Sequence, residues 1–93
     1  MNRLVLQAQV LERAAARYTP AGLPALDMVL KHESTATEDG QARKVSLEIR
    51  AVAIGDITRQ VGALAVGGAA QFAGFLSQAR NGRGVVFHIT ALA

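Results

Sequence analysis

The segment Arg17-Tyr18-Thr19-Pro20-Ala21-Gly22-Leu23-Pro24 constrains this chain more tightly than any other part of it. Pro20 presets one backbone dihedral and Gly22 accepts a positive φ, so Thr19-Pro20-Ala21-Gly22 reads as a turn. Before it lies an apolar run, Leu4-Val5-Leu6-Gln7-Ala8-Gln9-Val10, and after it a second run, Leu26-Asp27-Met28-Val29-Leu30-Lys31-His32-Glu33-Ser34. Each has an apolar residue at every second position: Leu4, Leu6, Ala8 and Val10 in the first, Leu26, Met28 and Leu30 in the second. Side chains two apart share one face of a strand. The pattern therefore predicts a β-hairpin with one buried face.

The rest of the chain continues in the same vein. Residues 3–13 alternate imperfectly with period two, as a first strand would, but Val10 to Arg17 is rich in helix-favouring residues and propensity alone would make it helix. Ala25 to Ser34 forms the second strand. Thr35 to Gln41 is polar, contains Glu38-Asp39-Gly40 and is expected to be an exposed hairpin loop. Arg43 to Ile54 forms the third strand, Val45, Leu47 and Ile49 alternating with Lys44, Ser46, Glu48 and Arg50. Ile57, Val61 and Leu64 stand at helical spacing, which predicts one short helix over residues 56–64 with Asp56 at or near its N-cap. After Val66-Gly67-Gly68, residues Ala70, Phe72, Gly74 and Leu76 make the inward face of a fourth strand. Asn81-Gly82 marks a tight hairpin, and Val85 to Leu92 is the fifth strand. Leu4, Leu6, Leu26, Met28, Leu47, Ile49, Phe72 and Leu76 are the expected core.

Ninety-three residues make one domain, residues 1–93. A chain of this size buries about 60–65% of its extended surface, so a single core does nearly all the stabilising. Half of the residues are hydrophobic, but only 4% are aromatic, and a small β domain of this kind gains burial and edge protection by dimerising. With no cysteine there is neither a disulfide framework nor a thiolate zinc site. That fits a reducing cytosol, and the absence of a charged, then apolar leader also favours a cytoplasmic location. Val61 to Ala79 is uncharged and about as long as a membrane span, yet it holds Gly62, Gly67, Gly68, Gly74, Gln71, Ser77 and Gln78 and would insert poorly. It is expected to be buried turn and strand, not membrane.

Catalysis finds little support. His32 and His88 are far apart, with no Cys and no Glu-x-x-His partner, so a metal site lacks its ligand set. His88 between Phe87 and Ile89 reads as an ordinary strand residue. Glu38-Asp39 are adjacent loop acids, whereas acid/base work needs two carboxyls in distinct environments. Gly82-Arg83-Gly84 lacks the third glycine of a dinucleotide cradle, and Gly67-Gly68 is not followed by Gly-Lys-Ser/Thr. Neither an enzyme nor a cofactor is expected. A net charge of +3 favours polyanionic partners weakly. Binding a single strand needs a cationic groove and flat side chains on which bases stack. Arg13, Arg17, Lys31, Arg43, Lys44, Arg50, Arg80 and Arg83 are dispersed, so a groove arises only where the fold gathers several. Tyr18 is the one aromatic outside the strands; Phe72 and Phe87 read as core, and Phe75 faces outward on the fourth strand.

Asn2-Arg3-Leu4-Val5-Leu6, Thr19-Pro20-x-Gly22-x-Pro24, Val29-Leu30-x-His32-x-Ser34, Val66-Gly67, Gly74-Phe75 and Asn81-Gly82, in this order and spacing, resemble bacterial single-stranded DNA-binding proteins of the oligonucleotide/oligosaccharide-binding (OB) fold. Within them the chain is most similar to the PriB-like family of primosomal replication proteins. The resemblance implies an all-β, five-stranded OB barrel with one short helix between strands three and four, and it is what makes residues 3–13 strand to their end rather than helix. It implies a homodimer that binds single-stranded DNA, meets the PriA helicase and DnaT in the primosome, and helps reload the replicative helicase during replication restart, without enzymatic activity. Arg17 and Arg43 match basic DNA-contacting positions of the family and Arg80 a basic position in the loop between strands four and five; Tyr18, Lys31, Lys44 and Arg83 complete the expected nucleic-acid-binding set. The chain departs from stronger DNA binders, which carry aromatics where it has Gln41 and Ser46 and an arginine where it has Glu33. A shorter loop before Asn81 has also lost a lysine. Weaker DNA affinity is the expected consequence, with more of the function resting on protein contacts. A general single-stranded DNA-binding protein without its acidic tail, and a protein-bridging OB adaptor with little DNA binding, are the alternatives.

Overall fold

A computed structural model describes all 93 residues. Its elements are β1 (Leu4–Arg13), β2 (Arg17–Tyr18), β3 (Pro24–Glu38), β4 (Gln41–Ile54), α1 (Ile57–Gly62), β5 (Ala69–Gln78) and β6 (Val85–Leu92). The sheet runs β1-β5-β6-β4-β3-β2, and an extra β1–β3 pairing closes it into a barrel. Five long strands form the wall, with the two residues of β2 hung on β3 opposite Ala25 and Pro24. The closure depends on β1 serving two neighbours. Its first half pairs with β5, and Gln9 to Arg13 pairs with β3 across a bulge that leaves Leu11 without a partner. Such a bulge bends and twists a strand.

This corrects the expected position of the helix. It lies between β4 and β5, not between strands three and four, because Arg17–Tyr18 pairs as a strand of its own and advances the count. The helix is also shorter than residues 56–64. Asp56 stands at the N-cap but in helical conformation, and its side chain makes no capping bond; Thr58 Oγ1 donates to Gly55 O at 2.7 Å. At the other end Arg13 Nη1 donates to the carbonyls of Gly62 (3.0 Å) and Leu64, satisfying helix-end acceptors. Val61 is fully buried and plugs the barrel, Ile57 and Leu64 packing beside it.

The core is Ala8, Val10, Leu26, Met28, Leu30, Ala51, Ala53, Val61, Phe72, Phe87 and Ile89. Leu4, Leu6, Ile49 and Leu76 pack against it half-buried. Leu47 does not: it is 39% exposed. Beyond Lys31, β3 pairs only with β4, so residues 32–47 form a two-stranded arm that leaves the barrel. The arm stretches the molecule to 49 Å along its longest axis against 21 Å along its shortest.

Residues 35–41 are not the loop expected from their polarity. Pairing continues to Glu38↔Gln41, and only Asp39 and Gly40 turn, with φ of +50° and +75°. Two consecutive positive φ values are what a two-residue type I′ hairpin requires, and Asp-Gly supplies them. At Asn81-Gly82 the tight hairpin is replaced by a longer loop, residues 79–84. Gly82 N donates to Ala79 O at 2.9 Å, and Asn81 Oδ1 accepts from Arg83 N at 2.9 Å, so Asn81 holds the loop by its side chain and leaves the positive φ to Gly82.

Several of the motif residues have structural work. Asn2 exchanges two hydrogen bonds with the Leu76 backbone, at 2.6 and 2.9 Å, extending the β1–β5 ladder with a side chain. Within Thr19-Pro20-Ala21-Gly22, Gly22 N donates to Thr19 O and Leu23 N to Thr19 Oγ1. His32 Nδ1 lies 2.6 Å from Gln7 O and its Nε2 2.8 Å from Ser34 Oγ, which ties the root of the arm to β1. No helix is long and apolar enough to cross a membrane; the uncharged stretch 61–79 is the end of α1, a turn and β5.

Candidate nucleic-acid interface

Residues paired in register across a sheet share a face. The outward pairs of β3 and β4 are Asp27↔Val52, Val29↔Arg50, Lys31↔Glu48, Glu33↔Ser46 and Thr35↔Lys44. The parallel pair Val52↔His88 and the antiparallel pair Phe75↔His88 carry the same face onto β6 and β5. At the barrel end of this surface lies a groove of about 540 Å³, open along one side. Its floor is Val29, Val52 and Ile54 from the sheet. The β1–β3 connection contributes Arg17 and Thr19 to one wall, and Arg80 from the β5–β6 loop and His88 from β6 make the other.

Three guanidinium groups, Arg17, Arg50 and Arg80, meet two carboxylates, Glu12 and Asp27, around this groove. Arg17 is not free. Its Nε donates to Asp27 Oδ2 at 2.6 Å and its Nη2 to Asp27 Oδ1 at 3.1 Å, the planar two-pronged arrangement that suits arginine and carboxylate. Those hydrogen bonds hold the Asp27 carboxyl below its ordinary range, against the opposing effect of partial burial, with the charges of Arg17 and Arg80 adding to them. The same bonds raise Arg17. A lowered carboxylate contributes stability that is complete above its unfolded value, about pH 3.9, and is lost as pH falls through the folded value. Both side chains are nearly half exposed, so that contribution is small.

The residues expected to bind nucleic acid divide into groups. Arg17 and Arg80 meet in the groove. Lys31 and Lys44 share its face but stand further out, Lys31 opposite Glu48 and Lys44 beyond Ser46 on the arm. From Val52 to Lys44 is eight residues of strand, about 27 Å. Ser46 is exposed on that face, as alternation requires. Arg43 projects from the opposite side of the arm, where its Nε stands 3.3 Å from Glu38 Oε1, and is not gathered with the others. Arg83 is exposed in the loop and Tyr18 is 74% exposed on β2; neither lines the groove. Arg50 and His88 do line it. Arg50 was visible in the sequence as the outward partner of Lys44, Ser46 and Glu48, but no sequence signal singled it out. Nothing in a Phe-His-Ile string reveals that His88 stands beside a groove.

A family described as "another single-strand binding protein family" matches residues 2–91. The replication restart protein PriB of Bordetella pertussis is 50% identical over 81 residues, which cover 87% of this chain and 76% of that protein. The chain belongs to the PriB family of single-strand-binding proteins. PriB from Ralstonia solanacearum superposes with a TM-score of 0.89 at 38% identity, covering 100% of this chain and 96% of that one. The wild-type single-stranded DNA-binding protein of Thermus aquaticus gives a TM-score of 0.73 at 26% identity, covering 100% of this chain and 49% of that one. The PriB fold thus extends over the full barrel, including the groove.

Proposed function

We propose that this chain is a single-stranded DNA-binding accessory protein of the replication-restart primosome. It lays the strand along the outer β3–β4 face and through the groove, and meets the PriA helicase and DnaT while bound. The observation that carries this reading is the convergence of Arg17, Arg50 and Arg80 over an apolar sheet floor in a chain of the PriB family. Guanidinium groups track phosphates, and an OB barrel presents this face and its two flanking loops to oligonucleotides. Lys31 and Lys44 extend the track along the arm. The protein acts by binding, in the cytoplasm.

Titration of a labelled dT oligomer tests the reading. Log affinity is expected to fall linearly with log salt at about −0.7 per phosphate neutralised, a slope near about −1.4 if Arg50 and Arg80 each take one while Arg17 is held by Asp27. Repeating it with purified PriA helicase should give a ternary complex. No salt-dependent binding at micromolar protein, with helicase binding retained, would replace this reading with that of a protein-bridging adaptor. Glu12 and Asp27, which offset part of the groove's charge, favour that second reading.

The proposed oligomer is a homodimer formed through a surface that includes β1. Val5 on β1 and Leu47 on the arm are both exposed apolar side chains, and burying them against a second copy removes apolar area from water at about 25 cal/mol per Å². Sedimentation is expected to give twice the chain mass at micromolar concentration. A monomer persisting to hundreds of micromolar would refute it.

A further inference from the structure

A row of four residues crosses the outer face in register: Phe75 on β5, His88 on β6, Val52 on β4 and Asp27 on β3. Phe75 and His88 are stacked, ring centroids 4.8 Å apart and planes within 5° of parallel. That separation is close to the spacing of neighbouring strands, so the rings stand up from the sheet face to face. Their neighbours Phe87, Ile89 and Leu76 point the other way, into or against the core. Phe75 covers one face of the imidazole. The opposite face looks across Val52, which is buried and forms the groove floor, towards the Asp27–Arg17 ion pair on the next strand.

We propose that the groove-side face of His88, backed by Phe75, is a base-stacking platform, and that one nucleobase of a bound single strand lies on it over Val52. The inference rests on the single-strand reading above and deepens it by naming where the first base is held. A flat ring already stacked on a second ring is fixed in orientation before the ligand arrives, so little side-chain entropy is lost on binding. Val52 gives the base edge an apolar floor. Arg80 stands on one side for a flanking phosphate, with Arg17, held by Asp27, on the other. This chain has Gln41 and Ser46 on the arm instead of aromatic residues, and Tyr18 does not line the groove. His88, with Phe75 stacked behind it, is accordingly the flat ring that lines the groove itself.

The test compares His88→Leu, His88→Phe and Phe75→Leu with the wild-type protein at fixed pH and salt. Two probes are used, a dT oligomer and an abasic deoxyribose-phosphate oligomer of the same length. Leucine keeps apolar bulk at position 88 but offers no π-face. His88→Leu is expected to weaken dT binding about five- to a hundredfold, to leave abasic binding unchanged and to leave the salt slope unchanged. His88→Phe should restore dT binding, and Phe75→Leu should weaken it less than His88→Leu does. Wild-type affinity for dT in His88→Leu overturns the platform while the single-strand reading stands, as does an equal loss on both probes. If the wild-type protein binds neither oligomer, the single-strand reading falls and takes the platform with it. Thermal unfolding of each variant identifies a folding defect; should His88→Leu unfold, the comparison of His88→Phe with Phe75→Leu decides the same question.

Discussion

Gly74→Ala is expected to destabilise the barrel by about 3 kcal/mol or more, the largest effect of any single methyl group in this chain. A Cβ on Gly74 would lie 1.7 Å from the carbonyl oxygen of His88 and 3.1 Å from the Cα of Ile89. Those are backbone atoms in the neighbouring strand, so no side-chain rotation relieves the clash. Here β5 and β6 cross a bulge: Ala73 pairs with Ala91 but Gly74 with Ile89, which leaves Thr90 as the extra residue. Glycine within a strand often marks such a site of close backbone approach. Overpacking a core commonly costs 1–3 kcal/mol, and a collision between two paired strands falls at or above the top of that range. For a domain of this size about 3 kcal/mol lowers Tm by about 12–24 °C. Gly62→Ala is the matched control, since its Cβ would meet only Leu26 Cδ2 at 3.8 Å. Thermal unfolding at one protein concentration checks both, because the proposed dimerisation would make Tm concentration-dependent. A Gly74→Ala Tm within about 3 °C of wild type would mean the two strands separate at the bulge without cost.

Gly74 also marks what a sequence conveys and what it withholds. Its place in an alternating run, Ala70, Phe72, Gly74 and Leu76, assigned it to the inward face, but a Cβ there would run into the backbone of β6, and the contact that demands glycine belongs to that other strand. The same limit governs Leu47. Alternation placed it on the core side of β4, and it is on that side; the barrel ends before it, so the side chain emerges into solvent on the arm. Period tells which face a residue uses and nothing about how far the neighbouring strands run. Two Gly-containing dipeptides show the complementary failure. Asp39-Gly40 and Asn81-Gly82 carry the same local signal, yet only the first makes a two-residue hairpin, because strand pairing continues right up to it. In β1 the helix-favouring run after Val10 is held as strand by pairing with β3, a tertiary effect that overrides propensity.

The candidate interface was legible in part for the same reason. Arg17 and Arg80 were identified through the family resemblance, and the fold does bring them to one groove. Arg43 was selected by the same means and faces away, because its neighbour Lys44 occupies the outward position in the alternation. Arg50 and His88 enter the groove through cross-strand register, His88 by way of the one parallel pairing in the sheet. Such register is set by closure of the whole barrel. The Arg17–Asp27 pair is ten residues apart in sequence and was invisible as an ion pair, although both residues were read individually as outward or loop positions.

That pair leads to two groove variants with opposite expected signs. Arg50→Ala combined with Arg80→Ala should weaken dT binding by roughly tenfold or more at low salt, each exposed charge contact being worth up to about 1 kcal/mol. The salt slope should become shallower by about 1.4, two phosphates at about 0.7 each, and the loss should be alike for every base sequence because phosphates carry no base identity. Asp27→Asn should do the reverse. The carboxylate now occupies both prongs of the Arg17 guanidinium, and an approaching phosphate must compete with it. An amide keeps the shape, removes the negative charge and returns Arg17 to the groove as an uncommitted cation. Affinity is expected to rise about two- to fivefold, from about 0.5–1 kcal/mol, with a slope steeper by about 0.7. The folded state loses little, since both partners are nearly half exposed. Fluorescence titrations of the dT oligomer across a salt series measure both variants and the wild-type protein on one axis. Were Asp27→Asn to bind more weakly than wild type, Asp27 would be positioning Arg17 for phosphate rather than withholding it. Unchanged affinity and slope in the double arginine variant would place the strand elsewhere on the barrel.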